Sequence, residues 1–277
     1  MVDWPPTFRC NNNCISCICN LEMVEKFEPK DPQVKQIQRI IDAIKPEDIL
    51  CLTGGEPTIR KEFFQFLEYA KKKDPYMNVF VVSNGRMFYY RDFVEKMAKV
   101  SPKNLTTGIA LYGHNSKLHD SITRTPGSFD QTVKGVRNLI EFKVPVELRV
   151  IISKLNYKNL VDIARYVVSD LKGVYRMVFI NMKYTGNAYK YRKSLFVRYR
   201  QVVPHAERAT DLLLKNKIPV KLFHFPLCTI KAKYRELAKG VTKQKRELMF
   251  VDACDKCKVR GECPMIWKSY WVLAGER

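Results

Sequence analysis

Through the first 180 residues, short apolar runs alternate with stretches whose apolar residues recur every three or four positions. TFR (7–9), DILCLTG (48–54), NVFVVSN (78–84), TTGIALYG (106–113), VELRVIIS (146–153) and YRMVFINM (175–182) read as strands. Between them, PQVKQIQRIIDAI (32–44) places Val34, Ile37, Ile40, Ile41 and Ile44 on one helical face. EFFQFLEYAKKK (62–73), RDFVEKMAKV (91–100), FDQTVKGVRNLIEF (129–142) and LVDIARYVVSDL (160–171) behave alike. Strands alternating with helices predict parallel βαβ units with right-handed crossovers. Six of them predict an α/β fold over residues 1–200, a partial (β/α)6 TIM-like barrel. In such a fold chemistry gathers at the C-terminal ends of the strands, and the unusual loops fall there: the cysteines from Cys10, TGGEPT (53–58), SNG (83–85), LYGH (111–114) and KYTGNA (183–188).

Past residue 200 the rhythm changes. PHAERATDLLLKNK (204–217) reads as a helix opening at Pro204, and IPVKLFHF (218–225) as a strand. Residues 201–277 hold four of the nine cysteines and are expected to form a small cysteine-rich second domain. The 277 residues are 46% hydrophobic, enough for a sizeable core. MVDWPPTFRC has no apolar signal-peptide segment, and no apolar run nears the roughly 18 residues that span a bilayer. A cytoplasmic protein without membrane contact is expected. An odd number of cysteines in a chain this long argues for metal rather than a disulfide framework.

Charge sharpens the picture unevenly. Residues 1–100 carry 15 Lys+Arg against 14 Asp+Glu, and residues 101–277 carry 34 against 14. NMKYTGNAYKYRKSLFVRYR (181–200) interleaves basic residues with Tyr184, Tyr189, Tyr191, Phe196 and Tyr199. Residues 231–246 add seven further basic residues against Glu236 alone. Lys and Arg neutralise phosphates and aromatic rings stack bases, so an RNA or nucleotide partner is one expectation, and an acidic peptide the other.

Cys10, Cys14 and Cys17 form C-x3-C-x2-C. Thiolates so spaced on a tight loop converge on one soft metal centre, and three ligands leave a coordination position open for chemistry. Cys19, two residues further, is expected to point away from Cys17. Gly54 and Gly55 let backbone approach a ligand closely, Glu56 supplies an acceptor, and Pro57 stiffens the exit.

C-x3-C-x2-C after one strand and GGEP after the next resembles the radical S-adenosylmethionine (SAM) superfamily, over roughly residues 5–200. The resemblance implies a [4Fe–4S] cluster on Cys10, Cys14 and Cys17, with SAM chelating the fourth iron. It implies reductive cleavage to a 5′-deoxyadenosyl radical that abstracts hydrogen from a substrate, with an electron donor such as ferredoxin or flavodoxin. Gly54, Gly55, Glu56 and Pro57 are then expected at the methionine amino end of SAM. Ser83 and Asn84 are expected at its ribose or carboxylate, and Arg124 or Arg149 at its carboxylate. No catalytic acid or base stands out.

Cys228, Cys254, Cys257 and Cys263 supply a second set of four thiolates, in a C-x2-C-x5-C arrangement plus one distant cysteine. The set is similar to the SPASM/twitch extension of radical SAM enzymes, which implies an auxiliary [4Fe–4S] cluster. Four-cysteine zinc is the alternative. A metal-stabilised nucleic-acid-binding protein without chemistry is the non-enzyme reading; it leaves the three-ligand loop and GGEP unexplained.

Overall fold

A computed structural model describes residues 1–19, 31–240 and 245–275. Seven parallel strands form one sheet in chain order: β1 (Val2–Thr7), β2 (Ile49–Gly54), β3 (Asn78–Ser83), β4 (Leu105–Ala110), β5 (Val146–Ile152), β6 (Arg176–Asn181) and β7 (Val220–Phe223). The crossovers carry α1 (Val34–Ala43), α2 (Phe63–Lys73), α3 (Arg91–Val100), α4 (Ser116–Thr123), α5 (Ser128–Glu141) and α6 (Leu160–Asp170). A longer connection follows β6, with α7 (Gly186–Lys190), α8 (Arg192–Leu195) and α9 (Tyr199–Lys215). This is the parallel α/β architecture of a partial TIM-like barrel.

Alternation along each strand divides two faces. Val146, Leu148, Val150 and Ile152 of β5 are buried under the helices, while Glu147, Arg149 and Ile151 face the concave side. On the helix side, Ile37, Ile41, Phe63, Phe66 and Leu67 are wholly covered. Each such side chain stabilises the fold by roughly 1.5–3 kcal/mol.

Three expectations change. β1 starts at Val2 and ends where the TFR run begins. Pro5 and Pro6 hide it from a β pattern, yet β1 bonds to β2 alone, and prolines are tolerated on an edge. The sheet has seven strands instead of six, because the 218–225 run supplies β7, parallel to β6. A boundary at residue 200 therefore falls inside α9, ahead of the last strand of the sheet. Pro204 also lies inside α9, which starts at Tyr199 because Tyr199, Val202 and Val203 bury against neighbouring elements.

The C-terminal segment forms an antiparallel pair, β8 (Leu248–Met249) with β9 (Ile266–Trp267), and then α10 (Lys268–Gly275). Leu248, Trp267, Tyr270 and Leu273 join Met182, Tyr184, Ala188, Leu195, Phe196 and Tyr199 in a second core. Tyr199 and Tyr270 stack with ring centroids 3.7 Å apart. Trp267 Nε1–H donates to the Asn181 carbonyl at 3.0 Å, fixing this segment to the end of β6. Among the described residues no helix is long and apolar enough to cross a membrane.

Candidate active site

The loop of Cys10, Cys14 and Cys17 follows β1 at the rim of the sheet, and the end of β2 sets its position. Gly55 N–H donates to Thr7 O at 3.0 Å and Glu56 N–H to Arg9 O at 2.8 Å, prolonging the β1–β2 pairing up to Cys10. Both glycines are required by backbone proximity. A Cβ on Gly54, whose φ is 117°, would lie 2.6 Å from Thr7 O, and one on Gly55 2.2 Å from Arg9 O. The expected close approach is thus to the chain's own cysteine loop.

Glu56 was expected to accept from an ammonium. Its carboxylate is instead buried and committed. Oε1 accepts Thr58 N–H at 3.1 Å, Thr58 O–H at 2.5 Å and Ser83 O–H at 2.8 Å, and Oε2 accepts Asn84 N–H at 2.7 Å. Burial pushes its pKa up, while these donors pull it down. Pro57 opens the short turn Pro57–Ile59 that brings Thr58 to this carboxylate. Glu56 therefore fastens the loop after β2 to the loop after β3. Ser83 is part of the fastener, since its hydroxyl also accepts Gly85 N–H at 3.0 Å. Asn84 reaches the cysteines: Nδ2 donates to Asn11 Oδ1 at 2.6 Å and lies 3.9 Å from Cys10 Sγ.

Arg124, expected at a ligand carboxylate, clamps the same loop. It donates to Asn13 O at 2.5 Å, Asn13 Oδ1 at 2.7 Å and the Tyr191 hydroxyl at 3.0 Å. Arg149 stays on the concave face, pairs with Glu147 at 3.6 Å and lies over the Phe80 ring at 5.6 Å. Glu147 also holds Arg176 at 2.5 Å. Arg86 was not anticipated. It donates to Asn11 O and, at 3.0 Å, to Asn12 Oδ1. The loop is further held by Asn13 N–H and Ile15 N–H, which donate to Thr123 O and Ile122 O. From the far side Ala188 N–H donates to Cys17 O at 2.9 Å, Asn187 to Cys14 O at 3.3 Å and Thr185 to Ile18 O at 3.1 Å. Gly186, at φ 56°, allows that approach; a Cβ there would lie 2.5 Å from the Cys19 carbonyl carbon.

The Cys10 sulfur faces hydrogen-bond donors: it accepts Asn12 N–H at 3.4 Å and lies 3.9 Å from Asn84 Nδ2. Burial pushes the Cys10 thiol up to about 11 and Cys14 up to about 12. Cys17 is raised too, first by its hydrogen bond with Cys19 and then by burial. Cys19 thus meets Cys17 instead of pointing away. Deprotonating these thiols needs a compensating cation, and soft iron supplies one. Three half-buried thiols on one braced loop, with donors aimed at sulfur, fit an iron–sulfur cluster. Among the described residues no three His, Cys, Asp or Glu side chains are grouped to hold a metal ion; in a cubane each thiolate binds its own iron.

Cys228 is exposed, and Cys254, Cys257 and Cys263 are half-buried. Burial raises the Cys228 thiol, followed by the charges of Cys263, Cys257 and Cys254. The tight turns Asp252–Cys254 and Arg260–Glu262 bend the chain around them.

The basic aromatic stretch loses its stacking platform. Tyr184, Phe196 and Tyr199 are buried in the second core and cannot present faces to bases. Tyr189 and Tyr191 instead lie under Arg192 and Arg124, at 4.3 and 5.0 Å. Residues 241–244 of the second basic run lie outside the described residues.

His119 supports the site from behind. It is buried, its Nδ1 accepts Tyr112 N–H at 3.2 Å, and burial lowers its pKa to about 4. An unfolded histidine titrates near 6.5, so between about 6.5 and 4 only the unfolded chain takes up this proton. The contribution is whole above about pH 6.5 and fades on acidification, by about 3 kcal/mol in all. Urea midpoints at pH 7 and pH 5 should fall less for His119→Gln than for wild type.

Residues 4–167 match the Radical SAM superfamily. Fe-coproporphyrin III synthase of Methanosarcina barkeri is 26% identical over 218 residues, 78% of this chain and 51% of that protein. Mycofactocin maturase MftC of Mycolicibacterium smegmatis is 28% identical over 165 residues, 58% of this chain and 40% of that protein. The chain thus matches about half the length of these relatives, or less. Among solved structures, Streptococcus suis SuiB bound to precursor peptide SuiA superposes with TM-score 0.62 at 16% identity, over 79% of this chain and 48% of that one. Native anSMEcpe with bound AdoMet and Cp18Cys peptide gives TM-score 0.67 at 13% identity, over 99% and 94%. These two likenesses are of fold. With the match spanning more than half of the chain, this protein belongs to the radical SAM superfamily.

Proposed function

We propose that Cys10, Cys14 and Cys17 hold the [4Fe–4S] cluster on which this superfamily relies, and that the chain modifies a peptide by hydrogen abstraction. The observation that carries the reading is the braced three-thiol loop at the rim of the sheet. With SAM and an electron from a ferredoxin or flavodoxin, such a cluster supplies reductive cleavage to a 5′-deoxyadenosyl radical. The chain's own residues keep the three thiols in place. Gly54 and Gly55 admit the loop against β2, while Glu56, Arg86 and Arg124 brace it. Arg149, on the concave face, is the guanidinium in reach of a substrate or SAM carboxylate there.

A peptide is supported by the maturase relatives and by the peptide-bound structures of the same fold. The surplus of Lys and Arg after residue 100 suits acidic residues in such a peptide, and the buried aromatic residues weaken the RNA reading. The test is 5′-deoxyadenosine formation from SAM by anaerobically reconstituted protein with a strong reductant. No 5′-deoxyadenosine from protein carrying iron and sulfide rules out this chemistry.

Cys228, Cys254, Cys257 and Cys263 are proposed to hold an auxiliary [4Fe–4S] cluster, in a C-terminal unit packed on the second core. Cys257→Ser should lose about four irons of about eight and still form 5′-deoxyadenosine without added substrate. Stoichiometric zinc in the wild type, with iron confined to the first site, would assign the tail to zinc instead.

A further inference from the structure

Arg149 stands on β5 three residues short of its end, about 10 Å beneath the rim at roughly 3.3 Å per residue. Phe80, whose ring it overlies, is likewise three residues short of the end of β3. β4 makes room for both. A Cβ on Gly108 would lie 2.6 Å from Phe80 Cζ and 3.1 Å from Arg149 Cδ. The guanidinium is short of partners. Glu147 gives its close contact, at 2.5 Å, to Arg176 and reaches Arg149 only at 3.6 Å. The Arg149 side chain is 17% exposed, and among the described residues none accepts a hydrogen bond from it. A mostly buried guanidinium with five N–H groups and no acceptor is costly to leave so. Val178 and then Lys221 follow Arg149 in register on the same face, and Lys221 is half-buried. On β5, β6 and β7 this face therefore carries Arg149, Arg176 and Lys221 against Glu147 alone. The next row toward the rim, Ile151, Ile180 and Phe223, is apolar and half-buried.

We infer that Arg149, with Lys221 in the same row, is a specificity residue that receives a carboxylate of the substrate below the apolar row of Ile151, Ile180 and Phe223. The inference rests on the reading above that the concave face holds a peptide. A carboxylate is the ligand that the vacant donors call for, because a guanidinium pairs with it through two parallel N–H bonds. The lysine adds charge from the same side. Its strand lies two places from β5, so the two backbones are about 10 Å apart, a gap that their long side chains narrow. The carboxylate of SAM is the poorer match. SAM chelates the cluster iron through that group, which keeps it at the rim with the thiols. Arg149 stands a level lower and is held there by Phe80 and Glu147. The substrate's carboxylate is that of an Asp or Glu side chain or of a peptide C-terminus.

The experiment is calorimetric binding of acetylated glycine pentapeptides to anaerobically reconstituted protein with SAM in excess. Three are C-terminally amidated, with Glu, Gln or Lys at the centre. A fourth carries Gln at the centre and a free C-terminal carboxylate. Wild type should bind the Glu peptide, or the free acid, at least about tenfold more tightly than the amidated Gln and Lys peptides. Which of the two is preferred names the source of the carboxylate. Arg149→Gln should bring the peptides within about twofold of one another. Arg149→Lys should keep part of the preference, as a charge without the planar fork, and Lys221→Met should weaken it. Equal affinities across the set in wild type, including no measurable binding of any peptide, overturn the inference. So does a preference that survives in Arg149→Gln, or a loss of SAM affinity there in place of peptide selectivity, which would assign Arg149 to the cofactor. If Arg149→Gln fails to fold, Arg149→Lys and Lys221→Met decide. Protein that shows the preference yet forms no 5′-deoxyadenosine ends the hydrogen-abstraction reading and leaves this one standing.

Discussion

Cys10→Ala, reconstituted anaerobically, should hold about four irons where the wild type holds about eight, and should form no 5′-deoxyadenosine. Among single substitutions this one has the largest expected effect, because Cys10 is where the braces meet. Its sulfur accepts from Asn12 and Asn84, and the residue before it is paired to β2 through Glu56 N–H. Losing one of three thiolates leaves two, too few to hold a cluster that also keeps an iron open. The iron expected to remain is that proposed for the second thiol group, which shares no ligand with the first. Iron and sulfide counts, with product quantified chromatographically, check both halves. A variant that still cleaves SAM would move the site away from this loop.

Gly55→Ala should have the second-largest effect, and by geometry alone. The added carbon would lie 2.2 Å from Arg9 O and 2.4 Å from Phe8 O, both backbone atoms with no rotamer to relieve the clash. Overpacking of this kind costs about 1–3 kcal/mol. Here it falls on the segment that delivers Cys10, so the loop moves before the sheet does. The expected outcome is a near-wild-type far-ultraviolet circular dichroism spectrum with iron at the first site at least halved. Gly127→Ala is the matching control. Gly127 has φ 76°, but a Cβ there meets nothing within 4 Å, so backbone strain of about 1–2 kcal/mol is the whole penalty and iron content should hold. Equal iron in Gly55→Ala and wild type would mean that the β1–β2 approach does not position the thiols.

Much of the scaffold was legible because its signals are local. The one-face pattern of Ile37, Ile41 and Ile44 and the alternation in β5 are written within a dozen residues, and those elements lie where the periodicity predicts. β1 was masked by Pro5 and Pro6, whose tolerance depends on an edge position that only the assembled sheet reveals. The thiol loop and the two glycines were visible as types in a spacing. The duties of their neighbours were not. Glu56 finds two partners 27 and 28 residues on, in Ser83 and Asn84, and Arg124 reaches back 111 residues to Asn13. A buried carboxylate and an exposed one look the same in a sequence, as do a stacking tyrosine and a core tyrosine. Tyr199 stands between basic residues in the sequence, and its stacking partner, Tyr270, lies 71 positions away.

The stacked pair Tyr199–Tyr270 has a consequence for how the molecule can be divided. Stripping away residues 248–275 would bare Tyr184, Phe196 and Tyr199 in one sweep, and it would release Tyr184 N–H from Ser269 Oγ, a 3.1 Å contact. The next residues along, Thr185 to Ala188, grip the carbonyls of Cys14, Cys17 and Ile18. The tail is therefore a keystone: shortening the chain from that end loosens the grip on the thiols at the other.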